Sequence, residues 1–198
     1  SFRRDDAAAA GRILLMTGDL TEEGILDAVG RRRVLEDATS LIHCAAATMP
    51  EEDRDLAWKT NVEGTTRILD LVREHGELRT VLYLSDLAVA GDHRGAFTEE
   101  DLLQNQRFSS VYAESKLLAE RRVRAAMDGL PLRVVRPASF VGDQDGGAIE
   151  RRAGLYPLLA FLVRLAALPG PLAVLPVAPF GACARVHVLP VDWVADRC

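Results

Sequence analysis

Four short apolar runs, each followed by a break and then a longer stretch with helical spacing, constrain this chain more than any other feature. Ile13-Leu14-Leu15-Met16 reads as a buried strand closed by Thr17-Gly18-Asp19-Leu20, and Thr21 to Asp37 as the helix after it, with Thr21 at its N-cap. Ser40-Leu41-Ile42-His43-Cys44 is a second strand, ending in the small residues Ala45-Ala46-Ala47. From Glu51 to His75 apolar residues recur at helical spacing (Leu56, Val62, Ile68, Leu69, Val72), and Gly76 suits the stop. Val81-Leu82-Tyr83-Leu84 is a third strand, Ser110 to Met127 a helix, and Leu132-Arg133-Val134-Val135 a fourth strand. Beyond Arg136-Pro137 come a Gly/Asp loop, an apolar helix near Leu155–Leu168 and a short strand near Val186–Leu189. Strands that alternate with helices form a parallel sheet covered on both faces, so the fold class is α/β with a doubly wound parallel sheet.

Composition narrows the function. A net charge of −5 over 198 residues offers no basic face for nucleic acid. Cys44, Cys183 and Cys198 form no CxxC pair, so neither a disulfide framework nor a zinc site is expected, and Cys44, inside an apolar run, reads as a buried thiol. No metal site is expected elsewhere: His43 reads as structural, His93 and His187 have no partners at ligand spacing, and the acidic loop from Gly142 lacks the closing glutamate of a calcium loop. The uncharged stretch from Leu165 to Ala184 contains Pro169, Pro171, Pro176 and Pro179, which would interrupt a membrane-spanning helix. With no apolar signal-peptide core near Ser1, the expectation is a cytoplasmic domain without a membrane span.

In a parallel sheet, ligands bind beyond the carboxyl ends of the strands. Those ends are Gly18-Asp19-Leu20, Ala45–Thr48, Ser85-Asp86 and Pro137–Gly142, and all are small or polar. The strongest chemical signal follows the third strand: Tyr112-Ala113-Glu114-Ser115-Lys116 puts a phenol and an ammonium on one face of a helix. A phenol is a poor acid or base at neutral pH, but a neighbouring ammonium lowers its pKa, so the pair can move a proton to or from a carbonyl oxygen. Chance seldom produces the pairing here, because of 24 basic residues only Lys59 and Lys116 are lysines.

Tyr-x-x-x-Lys in this place resembles the extended short-chain dehydrogenase/reductases. Gly18-Asp19-Leu20, His43-Cys44-Ala45-Ala46, Thr60-Asn61-Val62-Glu63-Gly64-Thr65 and Arg136-Pro137 match that family in its order. Pro190-Val191-Asp192-Trp193-Val194-Ala195 further resembles the branch of fatty acyl reductases and carrier-protein thioester reductases. The resemblance implies a Rossmann-like sheet, with Tyr112 as proton donor, Lys116 as its modulator and ribose ligand, and Asn61 steadying the lysine or a water. It implies Asp19 and Leu20 beside the adenine, Ala45, Ala46 and Ala47 under the cofactor backbone, and Pro137, Ala138, Ser139 and Phe140 flanking the nicotinamide. Arg3 and Arg4 fall where the family places an arginine on the adenosine 2′-phosphate, so NADP is expected, with NAD the alternative. Carrier-bound or CoA-bound acyl groups are the implied substrates, with residues 155–180 lining their channel. A homodimer would pair through the helices bearing Asn61 and Tyr112.

Two departures stand out. The family's glycine-rich loop, which cradles the pyrophosphate, has no match. The resemblance therefore implies a chain lacking the first strand-helix-strand unit, with residues 1–142 as an N-terminally incomplete nucleotide-binding core and 143–198 as an incomplete substrate-binding portion. Counting back from Gly91, the family's catalytic serine or threonine falls on Asp86, with Ser85 one residue earlier; adjacent residues leaving a strand point to opposite sides, so Ser85 stands in for it only with a local change of register. The leading expectation is a reductase of acyl thioesters or aldehydes. A nucleotide-sugar epimerase or dehydratase, a hydroxysteroid-type dehydrogenase and a non-catalytic cofactor-binding module are the alternatives.

Overall fold

The computed structural model describes residues 13–48, 53–149, 156–166 and 187–198. Two compact units, Ser1–Val134 and Val135–Cys198, are described in turn.

In the first unit the uninterrupted apolar run around Val81 becomes the middle of a three-stranded sheet. β1 (Ser40–His43), β2 (Thr80–Leu84) and β3 (Leu132–Val135) lie in that order, and β1 pairs with β2 in parallel from Ser40↔Thr80 to His43↔Tyr83. Val81, Leu82 and Tyr83 are all buried, as a strand covered on both faces requires. The core joins Val81 and Tyr83 to Leu69, Val72, Ala119, Val123 and Leu132, so helices α3 (Gly64–His75) and α4 (Val111–Ala125) cover one face of β2.

The helices begin and end where local chemistry permits. α1 spans Ala28–Asp37, with Asp27 accepting from the Gly30 amide at 2.7 Å. It starts well after Thr21, the expected cap, because Asp19 Oδ1 accepts from both the amide and the hydroxyl of Thr21 at 2.8 Å. That side chain draws residues 19–24 into turns, held by a bridge between Gly18 and Leu26. The expected strand Ile13–Met16 is also absent: no described strand pairs with it, and Leu15 is 90% exposed. An apolar run becomes a strand only when a neighbour supplies its ladder.

The helix expected from Glu51 to His75 is broken into three. α2 (Arg54–Ala57) leads into a π-helical stretch, Trp58–Glu63, before α3. The hydroxyls of Thr65 and Thr66 donate to the carbonyls of Asn61 and Val62 at 2.6 and 3.0 Å, satisfying acceptors that the wider turn releases. α3 ends at Gly76, as expected, with φ +72. After β2 a 3-10 turn, Leu87–Ala90, is capped by Asp86 and closes on Gly91, with φ +54. α4 starts at Ser110, whose hydroxyl accepts from the Ala113 amide.

In the second unit β4 (Ser139–Val141), a strand the sequence pattern does not reveal, pairs in parallel with β5 (Val188–Pro190). α5 (Tyr156–Ala166) and α6 (Val191–Ala195) complete it. The Tyr156 hydroxyl accepts from the Gly142 amide at 2.9 Å. The Gly/Asp loop folds on Asp143, whose carboxylate accepts from the Gly146 amide at 2.8 Å. No described helix is long and apolar enough to cross a membrane.

Two glycines mark chain breaks whose cost can be measured. A Cβ at Gly76 would meet only Arg73 O at 4.0 Å, so Gly76→Ala should cost about 1 kcal/mol for its left-handed backbone. A Cβ at Gly91 would lie 2.5 Å from Arg107 O, and Gly91→Ala should cost roughly 2 kcal/mol or more. Urea unfolding of both variants measures the difference, and equal costs would contradict the close approach at Gly91.

Candidate active site

The end of β2 and the first turns of α4 bring most of the expected chemical groups together. Tyr112 Oη donates to Asp86 Oδ2 at 2.9 Å, while Asp86 Oδ1 accepts from the Ala88 amide at 2.8 Å. Lys116, one turn further along α4 and 3% exposed, donates from Nζ to Leu84 O at 2.7 Å and stands 4.5 Å above the Tyr83 ring. Asn61, in the π-helical stretch and equally buried, forms a two-way link with Ala47: its Oδ1 accepts from the Ala47 amide at 2.7 Å and its Nδ2 donates to Ala47 O at 3.1 Å. The same Nδ2 donates to Ser115 Oγ at 2.8 Å. The small residues after β1 are thereby tied to α4 through one amide side chain.

The electrostatics differ from the sequence expectation in one respect. The phenol of Tyr112 is not lowered by Lys116. Burial, followed by the charge and the hydrogen bond of Asp86, holds it well above the usual tyrosine range. The Lys116 ammonium is turned toward the Leu84 carbonyl, so the carboxylate is the ion that faces the phenol. Tyr112 thus keeps its proton at neutral pH. Burial brings Lys116 down to about 8, against the opposing charges of Asp86 and Glu120.

Ser85 and Asp86 leave the strand in opposite directions, as alternation requires. Asp86 faces Tyr112, whereas Ser85 is buried and donates to Glu120 Oε2 at 2.5 Å. The structure therefore places Ser85 away from the Tyr112 hydroxyl. Asp19 is exposed, its carboxyl held below the usual range by the Thr21 amide and hydroxyl, and Leu20 lies against Gly64. Ala45 is exposed, and Ala46 and Ala47 are half-buried. Pro137, Ser139 and Phe140 belong to the second unit, where Pro137 is buried and the other two are exposed. Arg3 and Arg4 lie outside the described residues, as does Cys183. Cys44 is exposed rather than buried, because it follows the last residue of β1 and turns away from buried His43.

Sequence reasoning missed Ser115, Tyr83 and Glu120. Ser115 sits inside the Tyr-x-x-x-Lys run, and Glu120 repeats the four-residue step from Lys116, a spacing visible in the sequence. His43, read as structural, is buried against Thr65, with Nε2 and Oγ1 3.0 Å apart.

Burial, reinforced by the Lys116 charge, lowers His43 from 6.5 to about 4. Between these two pH values the unfolded chain binds a proton that the folded chain refuses. The stability contribution is therefore full above pH 6.5 and is lost as pH falls toward 4, by about 3 kcal/mol. Chemical unfolding across this range should show a smaller loss, by about that amount, in His43→Asn; parallel curves would contradict it.

Comparison with known proteins sets this arrangement in a family. The profile described as Male sterility protein, an NAD-binding family, matches residues 1–198. The 3 beta-hydroxysteroid dehydrogenase/Delta 5-->4-isomerase of Mycobacterium tuberculosis (strain CDC 1551 / Oshkosh) is 29% identical over 135 residues, 66% of this chain and 36% of that protein. A linear gramicidin synthase protein of Brevibacillus parabrevis is 28% identical over 193 residues, 92% of this chain and 4% of that protein. Among solved structures, the terminal R domain from the myxalamid PKS-NRPS biosynthetic pathway superposes with a TM-score of 0.81 at 26% identity, covering 96% of this chain and 47% of that one. The chain thus spans less than half the length of each of these three. A whole-length family match, a parallel α/β sheet and the order of motifs along it agree: the chain belongs to the NAD-binding Male sterility protein family, within the extended short-chain dehydrogenase/reductases.

Proposed function

We propose that this chain carries the proton-donating site of an NAD(P)H-dependent reductase that acts on the carbonyl of an acyl thioester or aldehyde. The observation that carries the reading is the Tyr112 hydroxyl: half-buried, firmly protonated, at the end of β2 and on the helix face that bears Lys116. The likeness to the myxalamid R domain, over 96% of the chain, favours the thioester among carbonyl substrates.

The residues present suit the nucleoside part of the cofactor. Ala45, Ala46 and Ala47 carry only methyl groups where a ligand would meet the end of β1, and Asn61 holds that backbone in place. On this reading Asp19 and Leu20 hold the adenine, Lys116 and Asn61 serve the ribose side, and Pro137, Ser139 and Phe140 flank the nicotinamide. Arg3 and Arg4 select NADP over NAD. When bound, the cofactor supplies the hydride.

The chain's own part is the proton. As negative charge develops on the substrate oxygen, Tyr112 Oη releases its hydrogen bond to Asp86 and donates to that oxygen. Balancing the phenolate left behind requires Lys116, mostly an ammonium at neutral pH because it titrates near 8, to turn from the Leu84 carbonyl toward it. Asp86 works against this step, since a carboxylate beside a developing oxyanion repels it. Residues 1–142 then form the nucleotide-binding part and 143–198 contribute to the acyl channel, where Leu159, Phe161 and Val163 of α5 expose apolar surface.

With the intact protein, NADPH absorbance should fall on addition of an acyl-CoA thioester, and Tyr112→Phe should slow turnover by about 10²-fold or more. Undiminished turnover in that variant would overturn the assigned role. Retained NAD with no net consumption of NADPH would point instead to an epimerase or dehydratase. Asp86→Thr, which keeps an oxygen to cap the 3-10 turn, should raise turnover roughly tenfold by replacing a repelling charge with a donor. A fall would show that the carboxylate is needed.

A further inference from the structure

The reductase reading leaves one buried charge without a use. Glu120 is fully buried in α4, one turn beyond Lys116 and two beyond Tyr112. Its Oε2 accepts from Ser85 at 2.5 Å and its Oε1 from Arg124 Nε at 2.8 Å. A buried carboxylate is costly to maintain and adds little to stability beyond what an apolar residue of its size would give. Its position has a pattern, however. Tyr112, Lys116 and Glu120 step along one face of the helix, and they bond to Asp86, Leu84 and Ser85, three consecutive residues at the end of β2.

We propose that Glu120 is a positioning residue for the Tyr112–Lys116 pair, anchoring Ser85 so that Asp86 faces Tyr112 and placing a buried negative charge behind Lys116. Alternation makes the first part geometric: with Ser85 drawn toward Glu120, its neighbour must project the other way, toward Tyr112. The second part follows from what faces Lys116. His43 and Cys44 approach from the end of β1, Tyr83 from β2, Asp86 from the turn after it, and Tyr112 and Glu120 from α4 itself. His43, held down to about 4, is neutral at physiological pH, so Asp86 and Glu120 are the carboxylates that offset the burial of the ammonium. Beyond Glu120, Arg124 reaches the carbonyls of Glu99 and Glu100 and fixes the far end of the chain of contacts.

The proposal rests on the Tyr112–Lys116 reading, but its test needs neither cofactor nor substrate, so a failed reductase assay and a failed test are distinguishable. Lysine scarcity makes the measurement direct: in this chain labelled with lysine carrying 13C at Cε, two signals arise, from buried Lys116 and exposed Lys59. The Lys116 signal should titrate near 8 in the parent chain. In Glu120→Gln its midpoint should drop by about one pH unit while Lys59 stays fixed, and Glu120→Asp should restore most of the shift. A folded Glu120→Gln chain with an unmoved Lys116 midpoint would overturn the proposal. Should that variant fail to fold, Arg124→Gln reads the same coupling from the partly exposed end: freeing Glu120 from its cation should raise the Lys116 midpoint, and an unmoved midpoint overturns the proposal equally.

Discussion

The grip of α4 on the end of β2 is the constraint on which the site depends. Three helix residues spaced by four hold three successive residues at and just beyond the end of β2, through a phenol, an ammonium and a carboxylate. Helical and extended periodicities rarely coincide over more than one contact. Here the side chains differ in length enough that Asp86, Leu84 and Ser85 are each reached. The apolar residues one step around the helix, Ala119 and Val123, pack on Val81 and Tyr83, so the core sets the height at which the polar contacts meet. Asn61 extends the same arrangement to the end of β1 through Ala47 and Ser115.

This arrangement has an electrostatic character of its own. Burial and Asp86 raise the Tyr112 phenol, and burial lowers the Lys116 ammonium and the His43 imidazole. The outcome is a site with a neutral phenol, a neutral imidazole and a cation that stays charged largely because carboxylates stand near it. Such a site gives up a proton only when a stronger acceptor than Asp86 arrives, which is what an oxyanion formed by hydride addition provides. In the proposed reductase the carboxylate therefore sets a threshold for proton transfer.

Much of this was legible in the sequence. The succession of β1, β2, α4 and β3, the stop at Gly76, the start of α4 next to Ser110 and the one-turn spacing of Tyr112 and Lys116 follow from periodicity and short-range rules, and the structure contains them. The differences lie where a single side chain competes with a pattern. Asp19 captures Thr21 and delays α1, and Asn61, within the wider π-helical turn, bonds both Ala47 and Ser115. Ile13–Met16 has the composition of a strand, but pairing depends on a neighbour that composition does not reveal. Opposite facing of Ser85 and Asp86 follows from alternation, whereas the phenol's rise instead of fall depends on where the Lys116 chain turns, which spacing alone leaves open.

The most direct test of the proton-donor role follows an isotope. The intact protein would be given NADPH deuterated at C4 of the nicotinamide and an acyl-CoA thioester, and the product examined by mass spectrometry. Hydride transfer predicts one deuterium at the former carbonyl carbon for each reduction, and proton donation by Tyr112 predicts that this transfer is far slower when Tyr112 is replaced by phenylalanine. A product without deuterium, or equal transfer by the variant, would contradict it.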